Sequence, residues 1–148
     1  MSNLKAIYDV FSEKYPDLKE ITLEDKEVIE KYFKDCDYEI SEYTFSNLFM
    51  WRNSYDFRWV EDSDNLIIFS FEKDKSVDLF PPIGKDALQV IKDFCETARE
   101  NQITLKIERV PEKLKKKVED SELNVSIEKD RANWDYVYSK DDLVNLDG

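Results

Sequence analysis

The sequence predicts an α+β domain with a mixed, mostly antiparallel sheet and helices on both faces. Apolar residues recur at helical spacing in some segments and alternate with polar residues, as in half-buried strands, in others. After a lead-in helix, the segments follow the order strand, helix, helix, three strands, helix, strand, helix and two strands. With 148 residues the chain has the size of one domain, so we predict that residues 1–148 form a single domain.

The first third of the chain carries three predicted helices. The lead-in helix covers residues 4–15. After a short extended piece, Thr22 and Asp25 have the spacing of a capping pair and predict the start of a second helix. A third helix is predicted at about residues 42–51, with Ser41 as its cap.

A β-hairpin is predicted next. Tyr55, Phe57 and Trp59 alternate with polar residues, and the polar run at 61–65 turns the chain into a second strand at 66–71. The acidic turn lacks the glycine and the distant glutamate of an EF-hand. We therefore predict an ordinary turn and no calcium site.

Strands and helices alternate in the second half of the chain. Residues 77–80 form a predicted strand that leads through residues 81–84 into a long amphipathic helix. The remaining predictions are a strand at residues 103–107, a helix that begins after Pro111, a strand that begins at Val125 and Ile127, an extended piece at residues 134–138, and a last short helix capped by Ser139.

Charge and composition exclude several classes of function. The net charge of -12 repels phosphate backbones and anionic lipid, so we expect no direct binding of nucleic acid or membranes by this chain. The chain has no histidine, which removes Ser-His and Cys-His catalysis and most zinc sites, and we expect no metal. Cys36 and Cys95 are predicted to be reduced core thiols. Without a spanning segment or signal peptide, the expected location is cytoplasmic.

The predicted order of elements resembles the Gcn5-related acetyltransferase (GNAT) fold. Enzymes of that fold hold the pyrophosphate of coenzyme A on the backbone amides of a glycine-rich loop. The corresponding loop here is Pro81-Pro82-Ile83-Gly84-Lys85, in which each proline removes an N–H donor. We therefore expect no cofactor, and coenzyme A in particular is disfavoured. Gly84 and Lys85 could still bind a carboxylate or phosphate at the helix start, or simply form a rigid turn.

Three segments carry a more specific resemblance, namely residues 40–52 (ISEYTFSNLFMWR), 80–84 (FPPIG) and 128–138 (EKDRANWDYVY). They are similar to the bacterial family related to the C-terminal domain of phosphatidylglycerol lysyltransferase. The resemblance implies a two-lobed protein, each lobe GNAT-like, that transfers an aminoacyl or acyl group at a cleft shared by the lobes. It implies that this chain is the N-terminal lobe and is inactive alone. The second lobe is then its partner, through which an aminoacyl-tRNA or small acyl donor would be bound.

Candidate substrate-binding residues lie first in the aromatic helix. Arg52 could hold a carboxylate or phosphate in a bidentate fork, with Trp51 and Tyr43 as walls of the pocket. Asn47 belongs to the same motif and is a further candidate substrate-binding residue. The alternative is that the aromatic residues are core and that Arg52 pairs with a structural Asp or Glu.

Further candidates lie on predicted strands and at their ends. Asp135 and Tyr136 occupy opposite faces of a predicted strand, one of which must be core. Glu108, at the end of its strand, is a candidate general base if burial raises its pKa, and otherwise a solvated carboxylate. No other catalytic residue is predicted.

Two other functions remain open at this point. A binding or regulatory module without chemistry predicts a closed, tightly packed neighbourhood around Trp51 and Arg52. A stand-alone acetyltransferase that uses coenzyme A predicts that coenzyme A stabilises the chain against thermal unfolding.

Overall fold

Six strands form one sheet in the computed structural model, which describes residues 3–71, 76–134, 139 and 144. The strands are β1 (Lys19–Glu20), β2 (Phe57–Asp62), β3 (Asn65–Ser70), β4 (Ser76–Leu79), β5 (Ile83–Gly84) and β6 (Thr104–Ile107). Their order across the sheet is β1-β2-β3-β4-β6, and β5 also pairs with β3. Within the described strands, β4 and β6 pair in parallel and the other pairs are antiparallel. The predicted mixed, mostly antiparallel sheet is confirmed.

The α-helices of the described residues are α1 (Asn3–Lys14), α2 (Lys26–Asp35), α3 (Phe45–Trp51), α4 (Ala87–Glu100) and α5 (Glu112–Glu119). A 3₁₀ turn at Leu23–Asp25 leads directly into α2, and Thr22 is its N-cap as the capping pair predicts. In the part of the chain that the structure describes, no helix is both long enough and apolar enough to cross a lipid bilayer.

One face of the sheet packs against α1 and α4. Successive residues of a strand point to opposite faces, and in β3 Ile67 and Phe69 point to this one. The ring of Phe69 lies 5.3 Å from that of Phe11 in α1 and 5.4 Å from that of Phe94 in α4. Burial of such side chains is worth about 1.5–3 kcal/mol each, so this cluster anchors both helices to the sheet.

The other face packs against α2 and α3. Leu66 and Ile68, the alternate residues of β3, share a cluster with Ile29 of α2 and with Phe45 and Leu48 of α3. All five side chains are buried. Helices therefore cover both faces of the sheet, as predicted.

The hairpin between β2 and β3 is tighter than the sequence predicts. Asp62 pairs with Asn65, so only two residues form the turn. Ser63 and Asp64 both have positive φ, 50° and 62°, which is the backbone of a type I′ turn. The outer residues of the polar run have joined the strands because a two-residue turn fits the twist of the hairpin.

The predicted cap of α3 and one predicted strand are wrong. Thr44, not Ser41, caps α3: its hydroxyl accepts a hydrogen bond from the backbone N–H of Asn47 (3.3 Å), and the helix therefore starts three residues later than position 42. No strand forms within residues 122–130. Val125 and Ile127 remain 41% and 43% exposed, so the alternation there buries no apolar face against a neighbouring strand.

The ends of two other predictions lie outside the described residues. Trp134 is described and 58% exposed, but the rest of the predicted extended piece, residues 135–138, is not described. The same holds for most of the last short helix. A strand that the sequence did not predict, β5, forms at the end of the proline-containing loop.

Candidate functional site

A cleft of about 300 Å³ opens where α3 meets one edge of the sheet. Strands β4 and β6 are parallel, so their carboxyl ends meet there, and β3 ends beside them through the pairing of Ser70 with Asp78. The cleft is lined by Glu42, Asn47, Leu48, Trp51, Tyr55, Phe57, Ser70, Asp78, Leu79, Phe80, Glu108 and Arg109.

One wall of the cleft is aromatic. The rings of Trp51 and Tyr55 meet edge to face with centroids 5.9 Å apart, and Tyr55 stacks on Phe57 at 5.4 Å. The ring centroid of Phe57 in turn lies 5.5 Å from that of Phe80, which is the last ring of this wall. Trp51 and Tyr55 are 45% and 41% exposed, so the outer part of this wall faces solvent.

Arg109 connects two carboxylates at the opposite side. Its Nε donates to Glu42 Oε1 at 2.5 Å and its Nη1 donates to Glu108 Oε2 at 3.0 Å. The guanidinium also lies 5.6 Å from the centre of the Phe80 ring. The two carboxylates already accept the hydrogen bonds that the guanidinium would otherwise donate to an anionic ligand. Arg109 is therefore a fixed internal counter-ion and offers little to an incoming carboxylate or phosphate.

The backbone at Arg109 is in the left-handed region, with φ of 56°. This conformation is unfavourable for a residue with a long side chain and persists only where surrounding contacts hold it. The preceding N–H, of Glu108, donates to the carbonyl of Leu79 at 3.0 Å and extends the pairing of β6 with β4. The turn at Arg109 thus directs its side chain back over the cleft at the end of the sheet.

The cleft carries a net negative charge. Its described lining residues include three carboxylates, of Glu42, Asp78 and Glu108, and one guanidinium, that of Arg109. These carboxylates do not form a metal site: among the described residues, no group of three or more Cys, Asp or Glu side chains could hold a metal ion. A small ligand with a positive charge suits this arrangement better than an anion does.

The structure brings three of the predicted site residues together. Asn47 and Trp51 of α3 and Glu108 at the end of β6 all line the cleft. Glu108 is 49% exposed at its side chain and is ion-paired with Arg109, so it is not buried as the general-base prediction requires. Sequence reasoning missed Arg109 and Glu42; the only signal for Arg109 was its place directly after a strand end and beside Glu108.

Tyr43 lies in the core and does not line the cleft. Its ring stacks on Phe33 with centroids 5.2 Å apart, and its hydroxyl donates to the carbonyl of Pro81 at 2.8 Å. Burial, together with nearby acidic groups, raises the pKa of Tyr43 well above 10, so the hydroxyl stays a donor. This placement corresponds to the core alternative considered for the aromatic helix.

Arg52 packs on its own helix. Its Nη1 donates to the carbonyl of Phe49, and the guanidinium lies 3.7 Å from the centre of the Phe49 ring. The carbonyls in the last turn of a helix have no partner within the helix, and Arg52 satisfies one of them. The predicted partner of Arg52, a ligand anion or a structural carboxylate, is thus replaced by a backbone carbonyl and a ring.

The remaining predicted residues lie elsewhere. Gly84 belongs to β5 and pairs with Asn65, while the ammonium of Lys85 lies 2.5 Å from Asp64 in an exposed ion pair. Neither residue lines the cleft described above. Asp135 and Tyr136 lie outside the described residues.

Comparison with known proteins places these observations in a family. The model of the family described as "Phosphatidylglycerol lysyltransferase, C-terminal" matches residues 33–148, which include all the residues that line the cleft. No curated protein matches the chain. A solved structure, of a conserved protein of unknown function from Bacteroides thetaiotaomicron VPI-5482, superposes with a TM-score of 0.77 at 28% sequence identity. The match covers 89% of this chain and 45% of that one, so the chain spans less than half the length of that relative. The chain belongs to the phosphatidylglycerol lysyltransferase C-terminal family.

Proposed function

We propose that the chain is the N-terminal, GNAT-like lobe of a two-lobed protein that transfers an aminoacyl or acyl group. In this proposal the lobe binds part of a substrate in its cleft and is inactive alone. The family match supports transfer chemistry, and the greater length of the Bacteroides relative supports a second lobe. The second lobe would complete the site and meet the aminoacyl or acyl donor.

The observation that carries the proposal is the composition of the cleft. Trp51 and Tyr55 present aromatic surface, and the described lining includes three carboxylates against one guanidinium. A cation over an aromatic ring gains about 0.5–2 kcal/mol, depending on how far it is desolvated. The negative charge of the lining adds to this attraction. The part of the substrate that the lobe binds is therefore proposed to carry an ammonium group, as an aminoacyl group does.

The loop before α4 supports a function without coenzyme A. Pro81, Pro82 and Ile83 are buried, and Ile83–Gly84 pairs with β3 as β5. A pyrophosphate cradle needs several backbone N–H groups that point outward from an open loop. A buried segment with two prolines is poorly suited to that role.

One observation favours a second candidate, a binding module without chemistry. The guanidinium of Arg52 is packed on Phe49, which is the tight neighbourhood that such a module predicts. The neighbourhood of Trp51 is not closed, because Trp51 lines an open cleft, and this argues against the binding module. We therefore keep the transferase lobe as the main proposal.

Ligand titration tests the cleft. The chain is labelled with ¹⁵N, and the indole N–H signals of its three tryptophans are followed by NMR. L-Lysinamide is expected to shift the signal of Trp51 at millimolar concentration and to leave that of buried Trp59 unchanged. Hexanamide, which has the same carbon chain and amide without either ammonium, is expected to bind at least about fivefold more weakly.

Each other result has a clear meaning. Equal affinity for the two amides would contradict a cation site. Binding of coenzyme A with thermal stabilisation would favour the stand-alone acetyltransferase. No response to lysinamide would favour the binding module.

The size of the native gene product tests whether this chain is one lobe of a longer protein. An antibody against this domain, followed by intact mass measurement of the captured protein, gives that size directly. A product of about twice the length of this chain, as a second domain of similar size would give, supports the proposal. A product that matches this chain would overturn it.

A further inference from the structure

We infer that the exposed end of α3 is the surface on which the second lobe docks. We call Met50, Trp51 and Tyr55 the α3 face. The inference rests on the proposed function, which supplies the second lobe as the occupant, and it adds the place of contact.

The helix α3 is apolar on more than the side that faces the core. Phe45 and Leu48 are buried against the sheet, whereas Met50 is 67% exposed and Trp51 is 45% exposed. A surface helix normally has one apolar stripe, and a helix that is apolar on several sides is normally covered on all of them. The apolar residues on the outer side therefore indicate a missing cover.

Trp51 and Tyr55 form the part of the α3 face that borders the cleft, and Met50 directly precedes Trp51 in the chain. The rings of Trp51 and Tyr55 touch edge to face at 5.9 Å, and Tyr55 continues into the wall through Phe57. Contiguous exposed apolar patches on soluble domains mark interaction surfaces more often than scattered residues do. A partner seated on this patch would also close the open side of the cleft and exclude water from it.

Charge and length identify the occupant. Each copy of the chain carries a net charge of -12, so a second copy is repelled. The ion-paired carboxylates Glu42 and Glu108 lie at the cleft beside the patch, which favours a partner surface with basic residues. The Bacteroides relative contains more than twice the length that this chain covers, so a partner of suitable size lies within one polypeptide there. The remaining lobe is the occupant that the length supports, and charge repulsion argues against a second copy.

Oxidation of Met50 tests the contact. The chain has two methionines, Met1 and Met50, so a gain of one oxygen in the peptide around residue 50 reports on the α3 face alone. The native gene product and the 148-residue chain, held at a concentration where it is monomeric, are treated with hydrogen peroxide. We expect Met50 to be oxidised at least about tenfold more slowly in the native product, because the thioether is reached only when the contact opens.

Two matched variants of the native product separate docking from a general surface effect. Met50 and Leu23 are both 67% exposed, and Leu23 does not line the cleft. Met50→Glu is expected to raise hydrogen exchange in residues 45–55 to the level of the isolated chain. Leu23→Glu is expected to leave that exchange unchanged.

The outcomes distinguish this inference from the proposal on which it rests. Rapid oxidation of Met50 in a longer product overturns the docking surface and leaves the lobe proposal intact. A product no longer than this chain overturns both. Protection of Met50 that appears in the isolated chain as its concentration rises identifies a second copy as the occupant and overturns the inference.

Discussion

Gly84 approaches Asn65 so closely that a Cβ atom at position 84 would lie 2.4 Å from the Asn65 Oδ1 atom. It would also lie 2.3 Å from the backbone carbonyl oxygen of Asp64. The same Asn65 Oδ1 accepts a hydrogen bond from the backbone N–H of Asp86 at 3.2 Å, at the start of α4. Position 84 therefore requires glycine, because a side chain there would collide with Asn65, the residue that joins the hairpin turn to α4.

Replacement of Gly84 by alanine is expected to destabilise the chain by about 2–4 kcal/mol, since the Cβ meets backbone and the φ of +155° is strained for any other residue. Urea unfolding followed by circular dichroism measures this change. Lys85→Ala is the matched control: its ion pair with Asp64 is exposed, so its effect on the free energy of unfolding should be much smaller. Equal effects of the two substitutions would show that β5 does not need the close contact.

The sheet and its helices were predictable because they depend on local periodicity. Alternation defined β2 and β3, and helical spacing defined α1, α2 and α4, in each case because one face of the element is buried. The cap of α3 was less predictable, since Ser41 and Thr44 are both good caps by residue type.

The cleft was predictable only in part. Asn47, Trp51 and Glu108 were chosen for their residue type and place at element ends, and the fold brings them together. The ion pair between Arg109 and Glu42 joins residues 67 positions apart, and no local pattern connects them. Tyr43 and Arg52 were chosen as ligands because they belong to an aromatic motif, but packing within that motif takes up both side chains.

Tyr43→Phe tests the core role of Tyr43. The substitution keeps the stack on Phe33 but removes the donor to the buried carbonyl of Pro81. We expect the free energy of unfolding to fall by about 1–2 kcal/mol, the usual loss for a buried hydrogen bond whose acceptor stays unpaired. Lysinamide affinity should not change, because Tyr43 does not line the cleft. A loss of affinity with unchanged stability would instead assign Tyr43 to substrate binding.

Asp25 should make stability depend on pH in the acid range. Burial on its own would raise the pKa of Asp25, but hydrogen bonds from Lys19 (2.7 Å) and from the N–H of Thr22 (2.8 Å) outweigh it, so the pKa lies below its usual value. Because the pKa of Asp25 is lower in the folded state, its charge stabilises the fold at pH values above the unfolded pKa near 3.9. This contribution is lost as the pH falls through the folded pKa.

Asp25→Asn is therefore expected to cost about 1–2 kcal/mol at pH 7, because the cap and the ion pair with Lys19 are weakened together. The difference from the parent chain should shrink as the pH falls below about 4. Urea unfolding at a series of pH values measures it. Asp17→Asn, at an exposed position, is the control and should show no such convergence. A difference that is independent of pH would mean that shape alone, and not the charge of Asp25, stabilises the turn.

Trp51→Ala should weaken the binding of lysinamide by about 3–30-fold, the range expected for loss of a cation–aromatic contact of up to 2 kcal/mol. Isothermal titration calorimetry gives the affinity. The thermal midpoint should change little, because Trp51 is 45% exposed and lies outside the two main core clusters. Trp134→Ala provides the control, since Trp134 is 58% exposed and does not line the cleft. Similar losses for both variants would indicate nonspecific binding.

Arg109→Gln separates a cation site from an anion site. Removal of the guanidinium leaves the carboxylates of Glu42 and Glu108 without this partner and makes the cleft more negative. We expect lysinamide to bind about 3–10-fold more tightly, which corresponds to one additional charge interaction at a partly exposed position. Arg109→Lys keeps the charge and should bind within about twofold of the parent chain. The gain for Arg109→Gln should also shrink at high salt, because the added attraction is screened. If Arg109→Gln instead abolished lysinamide binding while the fold stayed intact, Arg109 would be a direct ligand contact, and the assignment of an internal counter-ion would be wrong.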